Sequence, residues 1–499
     1  MDRSVAQGGR AEPRTTPWLD RDNARWLAVA VGVFLAIAAL AIYSATRVDR
    51  YYDHFVWQAA AFLEGQAAIR YPVEGIVGVS GNAYFQDVLP IVSSDGIPRG
   101  LLPFPPLPAL VLLPFVAVWG LATDDQAIFT ILAAMDVAIC WWALGQLAVR
   151  PSIRAIATVF LAFGTVFWFT AQVTTTWYQA HIVAVGLALL AVGIAAGAGR
   201  SASEGPGDQA VEVADRPVAV ADRAARPARD GLRAVLWVDR RQFVAGFLFG
   251  LACTARLTVV FGAPFFALAG YGGDWRRRSW SAGLGAALPL LALVLYNVAT
   301  TGHVFHPAYD YLYVLESNGY PSLGYHPEWA VEDPRYIPQN IGIALLGLPD
   351  ILPVALPDSL AAVPTSVCTE PGAIRGLFDI ACPLAVPRDT GMSVLLTSPA
   401  WLLAFPAARA YGRSRLVTGA VLAIVVISVV NLMHFSQGWV QFGYRFSNDA
   451  APFGLLLVAL GMERLARRHA WAMPAAAGLV VLSIAINLWG VIWSRLLGW

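Results

Sequence analysis

Two aspartates, Asp49 and Asp53, flank a pair of tyrosines in RVDRYYDHF, residues 47–55, directly after the first long apolar run. A carboxylate in this position, its pKa raised by partial burial near lipid, can act as a general base. Asp is also favoured at helix N-termini, so interface anchoring and capping compete with that use, more strongly at Asp49 than at Asp53. His54 opens HFVWQAAAFLEG, whose apolar spacing predicts an interfacial helix beginning at the acids. A rival carboxylate, Asp87 in NAYFQDVLP, lies between aromatic and apolar residues, an unusual setting for a solvated charge. Asp95 in the same loop reads as a turn residue.

Cations and hydrogen-bonding groups recur near the ends of other apolar runs. CTARLTVV, 253–260, buries Arg256 between two such runs, where an Arg usually marks a paired acid or a substrate and can grip a phosphate bidentately. TTTWYQAHI, 174–182, carries Trp177 and Tyr178, ordinary aromatic-belt residues, and His181 one turn further in. YNVATTGHVFHPAYDYLY, 296–313, offers Asn297, His303, His306, Tyr309, Asp310 and Tyr311, a mixture suited to lining a sugar-binding cleft. His303 and His306 without a third assured ligand do not define a metal site, so no metal ligand is assigned, and the cofactor stays open, a divalent metal included. GWVQFGYRFSNDAAPF, 438–453, places Arg445 and Asp449 four residues apart, on one face if helical, as a local ion pair or as part of a site. No phosphate-binding glycine loop, dinucleotide fingerprint, zinc signature or nucleic-acid signature stands in a suitable context.

The elements that must position these residues are membrane helices. The chain has 499 residues, 57% of them hydrophobic and 13% charged, against about 25% charged in soluble domains. Several runs, such as WLAVAVGVFLAIAALAIYS, reach the roughly 20 apolar residues that cross a bilayer. The first run lacks a cleavage signal and reads as a retained span. Every basic residue is Arg, and with abundant Ala this composition suggests a bacterial protein.

The arginines cluster at 3–25, 150–154, 200–241, 276–278, 409–415 and 464–468, and short cytoplasmic loops collect such charges. All six clusters fall on one side if Leu101–Gly120, with its five prolines, lies along the outer interface instead of crossing. Spans are then predicted near 26–46, 126–149, 155–172, 178–198, 242–255, 257–272, 281–300, 393–408, 416–434, 450–463 and 472–494. The expected protein is an all-α polytopic membrane protein: a cytoplasmic tail at 1–25, then one domain over 26–499 with about eleven spans. Outer loops would cover 47–125 and 301–392, and 200–241 would be a disordered cytoplasmic loop. Cys140 and Cys253 read as small core residues. Cys368 and Cys382, fourteen residues apart in the second outer loop, could pair if that side is oxidising.

Taken in order, HFVWQAAAFLEG, QDVLP, PFPPLPALVLLPFVAVWG, ARLT, YNVATTG, GMSVLLTSPAWLL and GWVQFGYRFSNDAAPF resemble the GT-C superfamily of membrane glycosyltransferases. That superfamily includes the protein O-mannosyltransferases, and the similarity is greatest to uncharacterised bacterial family-39-like members. The resemblance implies a GT-C-like bundle with interfacial helices in the first outer loop. It implies transfer of a sugar from a polyprenyl-phosphate donor to an acceptor hydroxyl, with inversion, on the outer face of the bacterial plasma membrane. The acceptor would be a glycan, lipid or protein, and no nucleic acid is involved. An acid of the first outer loop would be the base. Members often carry adjacent acids before the interfacial helix, whereas Tyr51 and Tyr52 stand there in this chain, with Asp49 and Asp53 to either side. The expected assignment is Asp53 as base with Asp87 as rival and Asp49 third. Arg256 and Arg445 would hold the phosphate, with His54, His181, Asn297, His306, Tyr309 and Asp449 lining the cleft. A transporter or flippase of a polyprenyl-linked glycan is the alternative, and would place more polar residues at mid-membrane than Asp136 alone.

Overall fold

In the computed structural model, residues 21–49, 52–70, 87–91, 96–97, 99–203, 237–310, 326, 328–356, 364–436, 438 and 440–499 are described. Tyr51, Asp95, Tyr311 and most of the expected cytoplasmic loop at 200–241 lie outside them. The described chain is mostly helical: α1 Arg21–Thr46, α2 His54–Leu63, α3 Leu107–Trp119, α4 Asp125–Leu144, α5 Pro151–Gly164, α6 Phe167–Val173, α7 Thr176–Ser203, α8 Arg240–Cys253, α9 Trp275–Thr301, α10 Arg415–Met433, α11 Ser447–Arg468 and α12 Ala472–Leu496.

Local chemistry sets where these helices begin. Asp124 accepts the Ala127 amide at 2.9 Å ahead of α4, Asp274 accepts the Arg277 amide at 2.8 Å ahead of α9, and Ser414 caps α10. Pro151 starts α5, where its missing N–H costs no hydrogen bond. α9 ends at Gly302 in the left-handed conformation.

Among the described residues six helices are long and apolar enough to cross a membrane: α1 from Arg25, α4, α7 up to Ala198, α9, α10 and α12. The α5–α6 pair, bent by 49°, makes a seventh if it is one span. The bend falls at Gly164–Val166, where Thr165 is extended and breaks the helical ladder. The remaining expected crossings are shorter or broken. Helix α8 has 14 residues, and the return leg divides into Leu257–Gly262 and Pro264–Leu268. The 393–408 segment splits into Val394–Thr397, Pro399–Ala404 and Phe405–Ala408. Helix α11 runs 22 residues but carries Asp449, Glu463 and a cluster of arginines. The proline-rich stretch forms α3, which buries Pro108, Ala109, Leu112 and Val116 against α2.

Helices α8 and α9 touch backbone to backbone. A Cβ at Gly246 would lie 2.1 Å from the Ala282 carbonyl, and one at Gly250 2.6 Å from that of Ala286, so only glycine allows this approach.

One end of the bundle gathers the described arginine clusters. Trp141 donates to Ala28 at 2.7 Å and lies beneath Arg154. The Arg150 amide donates to Glu463, and Arg277 donates to Trp237. The opposite end holds the expected site residues and two loop regions. The first contains α2, α3 and an antiparallel sheet in the order β1 Ile69–Arg70, β3 Arg99–Leu101, β2 Leu89–Ile91. The second is stapled by a Cys368–Cys382 disulfide. Cys140 and Cys253 are buried and unpaired, as expected.

Candidate functional site

Asp449 stands in the first turn of α11, where the helix dipole favours a negative charge, and its side chain is fully buried. Arg256 reaches it from the turn after α8, with Nη2 at 2.9 Å and Nε at 3.3 Å. Thr258 donates its hydroxyl at 2.6 Å, and Asn431 of α10 its amide at 3.2 Å. The Nδ1 of His181 lies 3.0 Å from the carboxylate but off the line of a hydrogen bond, so that contact is one of proximity. Three separate segments thus converge on one buried acid of a fourth, α11. The local Arg445–Asp449 pair does not form, because Arg445 precedes α11 and the two residues do not share a helical face.

Arg445 points elsewhere. Its guanidinium carbon lies 5.3 Å from the Tyr178 ring centroid and 5.4 Å from that of Phe446. Phe446 also carries the Arg256 guanidinium, at 5.3 Å, so one ring separates two cations. Among the described residues no carboxylate forms an ion pair with Arg445, and its buried Nε has no hydrogen-bond partner. Gly438, at φ +86°, lets the backbone pass this side chain, since a Cβ there would sit 2.9 Å from Nε.

Asp87 lies within electrostatic reach of the same cation. It occupies a left-handed turn position at φ +68° and accepts a 2.7 Å hydrogen bond from Trp177 Nε1. Burial pushes its carboxyl up to about 6, opposed by the Trp177 bond and the Arg445 charge. Tyr309 lies within electrostatic reach of both Arg256 and Asp87, and burial raises its phenol to about 12.

Asp53 and His54 stand beside this group. The Asp53 carbonyl accepts the Val56 and Trp57 amides and starts α2, yet its carboxylate makes no capping bond. Burial raises its pKa. It lies within electrostatic reach of Asp125, which Gln179 holds at 2.6 Å. His54 Nδ1 is 2.8 Å from Thr176 Oγ1. That hydroxyl donates to the Tyr52 carbonyl at 2.8 Å, so the proton of the first contact belongs to the imidazole Nδ1. The His54 ring centroid is 5.8 Å from Trp177, the same indole that holds Asp87.

No protein-family model, curated protein or solved structure matches this chain.

The geometry therefore brings together Asp87, His181, Arg256, Tyr309, Arg445 and Asp449, with Asp53 and His54 adjacent across Trp177. The other expected residues have local uses. Asp49 is exposed and paired with Arg47 at 3.1 Å. Asn297 donates to the Val304 carbonyl at 2.8 Å, closing the chain beyond α9. His306 is buried, its Nδ1 accepts the Ala308 amide, and desolvation lowers its pKa to about 4. Among the described residues no group of three His, Cys, Asp or Glu side chains could hold a metal. Trp177, Thr258, Asn431 and the Asp125–Gln179 pair were not anticipated in these roles. Asp125 was open to discovery, because Asp124 is the capping residue and its neighbour is thereby turned inward.

Proposed function

We propose that this chain is a membrane glycosyltransferase that moves a sugar from a polyprenyl-phosphate donor to an acceptor hydroxyl. The observation that carries the reading is Asp87, a carboxyl raised towards neutrality by burial, held by Trp177 beside a cation without a carboxylate partner, Arg445. In this scheme the acceptor hydroxyl attacks the anomeric carbon and passes its proton to Asp87. The carbon–oxygen bond to phosphate breaks, and the polyprenyl phosphate leaves with the electron pair, its charge met by Arg445. Arg256 has Nε and one terminal nitrogen engaged by Asp449, so it acts chiefly by holding α11 and Phe446 in place. Asp53 is the second candidate base.

The order of GT-C-like segments supports the same reading. So does the concentration of polar groups opposite the arginine-rich end, which the positive-inside rule assigns to the cytoplasm. We place the N-terminus inside, about eleven crossings in a bacterial plasma membrane, α2 and α3 along the outer interface, and the site on the outer face. The transport alternative has its strongest residue in Asp136 of α4, buried with one oxygen unpartnered.

The test is transfer from radiolabelled polyprenyl-phosphate sugars in membranes containing wild type, Asp87→Asn or Asp53→Asn. Loss of a general base removes about 10²–10⁴ in rate, expected for Asp87→Asn. Full transfer by both variants overturns the catalytic assignment. Donor movement across the bilayer without sugar transfer favours transport.

A further inference from the structure

At the basic end of the bundle, remote from Asp87 and Asp449, lies a cavity of about 480 Å³. Its walls are Trp142 of α4, Ile194 of α7, Arg240, Arg241 and Val244 of α8, and Tyr271. Two glycines one turn apart on α7 let lining residues approach that helix closely. A Cβ at Gly193 would lie 2.6 Å from the Trp142 ring, and one at Gly197 3.3 Å from both the Tyr271 hydroxyl and Gln146 Oε1.

The charge in this cavity is unbalanced. Arg241 stacks over Tyr271 with its guanidinium carbon 5.0 Å from the ring centroid. Among the described residues neither Arg240 nor Arg241 pairs with a carboxylate. Asp239, the adjacent acid, is occupied in accepting the Arg241 and Gln242 amides, each at 3.0 Å. The first amides of α8 are thereby capped, so an anion here is held by the guanidiniums. Below them the wall is apolar, and Trp142 and Val244 are exposed at 37% and 39%, which opens the cavity sideways between helices.

Two guanidiniums suit a phosphodiester, which accepts their hydrogen bonds in pairs. The apolar wall beneath suits an acyl chain, and arginines at a helix end lie at the level of anionic headgroups. Inorganic phosphate would satisfy only the first of these features. We propose that the cavity binds an anionic phospholipid from the leaflet at the basic end. The phosphodiester rests on Arg240 and Arg241, and one acyl chain runs along Trp142, Ile194 and Val244.

The experiment is thermal unfolding of the detergent-purified full chain with added phosphatidylglycerol, phosphatidylcholine or inorganic phosphate, and lipid retention by mass spectrometry. Phosphatidylglycerol should raise the wild-type midpoint well above phosphatidylcholine, with phosphate inert. The Arg240→Gln/Arg241→Gln variant should lose this selectivity and retain phosphatidylglycerol roughly tenfold less, the scale of one lost charge-assisted hydrogen bond. Val244→Trp, which keeps both cations and fills the wall, should also weaken retention. Equal shifts from the two lipids overturn the proposal, as does unchanged retention by both variants. A shift from phosphate matching that of phosphatidylglycerol reduces the cavity to an ion site and equally overturns it.

Discussion

Arg256 and Asp449, 193 residues apart in sequence, meet in a two-pronged ion pair at 2.9 and 3.3 Å, with the carboxylate wholly buried. Such a pair fixes geometry more than it adds stability, because both ions lose water on burial. Its chief effect is to tie the turn after α8 to the first turn of α11, and so to set Phe446 between the two cations.

Breaking one side of this pair leaves a charge buried without compensation. Arg256→Met alone should cost about 3–5 kcal/mol in unfolding free energy, and Arg256→Met/Asp449→Leu markedly less than the sum of the single changes. Chemical denaturation in detergent measures the cycle. Additive losses would mean that the two residues act independently.

Asp87 should drive activity and stability in opposite directions with pH. As a base it must be ionised, so transfer should fall as pH drops through about 6. The folded carboxyl keeps its proton up to that value, whereas the unfolded one releases it near 3.8. The stability it contributes is therefore present below the lower value and lost as pH rises through about 6. Asp87→Asn should remove both limbs, read by pH–rate profiles and by midpoints of thermal unfolding.

Trp177 tunes that carboxyl through its indole N–H. Trp177→Phe removes the donor and keeps the ring, so the ionised form loses its hydrogen bond. The acidic limb of activity should move to higher pH while KM for the donor stays within about threefold, less than one typical hydrogen bond is worth. An unmoved limb would show that Asp87 does not set it.

The disulfide closes a short loop, with Cys368 and Cys382 separated by 14 residues. Cys368→Ser/Cys382→Ser should lower stability by about 3 kcal/mol, the value for a loop of this length. Alkylation of the unfolded wild type should add two labels without reductant, at the free Cys140 and Cys253, and four after reduction. Four labels without reductant would show that the bond is absent.

The helical legs were legible because apolar runs long enough to cross lipid leave little else for the backbone to do. Where proline or glycine interrupts them, at Gly164–Val166 or across 393–408, the run reads as one span and the backbone divides it. The site was legible in its residues and poorly in its pairings. Arg445 and Asp449 have helical spacing, but the helix begins only at Ser447, and the true partner of Asp449 comes from a distant turn. Trp177 resembled belt decoration, since no local pattern reveals that a loop acid 90 residues away accepts its N–H. Spacing reports faces of one element, and side-chain pairs between elements have no such signal.

Helix α12 holds parts of the chain made long before it. Trp493 donates to the Leu377 carbonyl in the disulfide-bonded lobe. Val491 accepts from Gln172 at the end of α6, and Ser494 donates to the same amide. During synthesis the disulfide-bonded lobe and α6 must wait, unclasped, until α12 has entered the bundle. A ribosome that stops before Trp493 would release a chain with most of its helices and no seat for the lobe above them. Seating of the lobe is thus a late event that follows insertion of the other helices, and quality control of the nascent protein would turn on the final turns of α12.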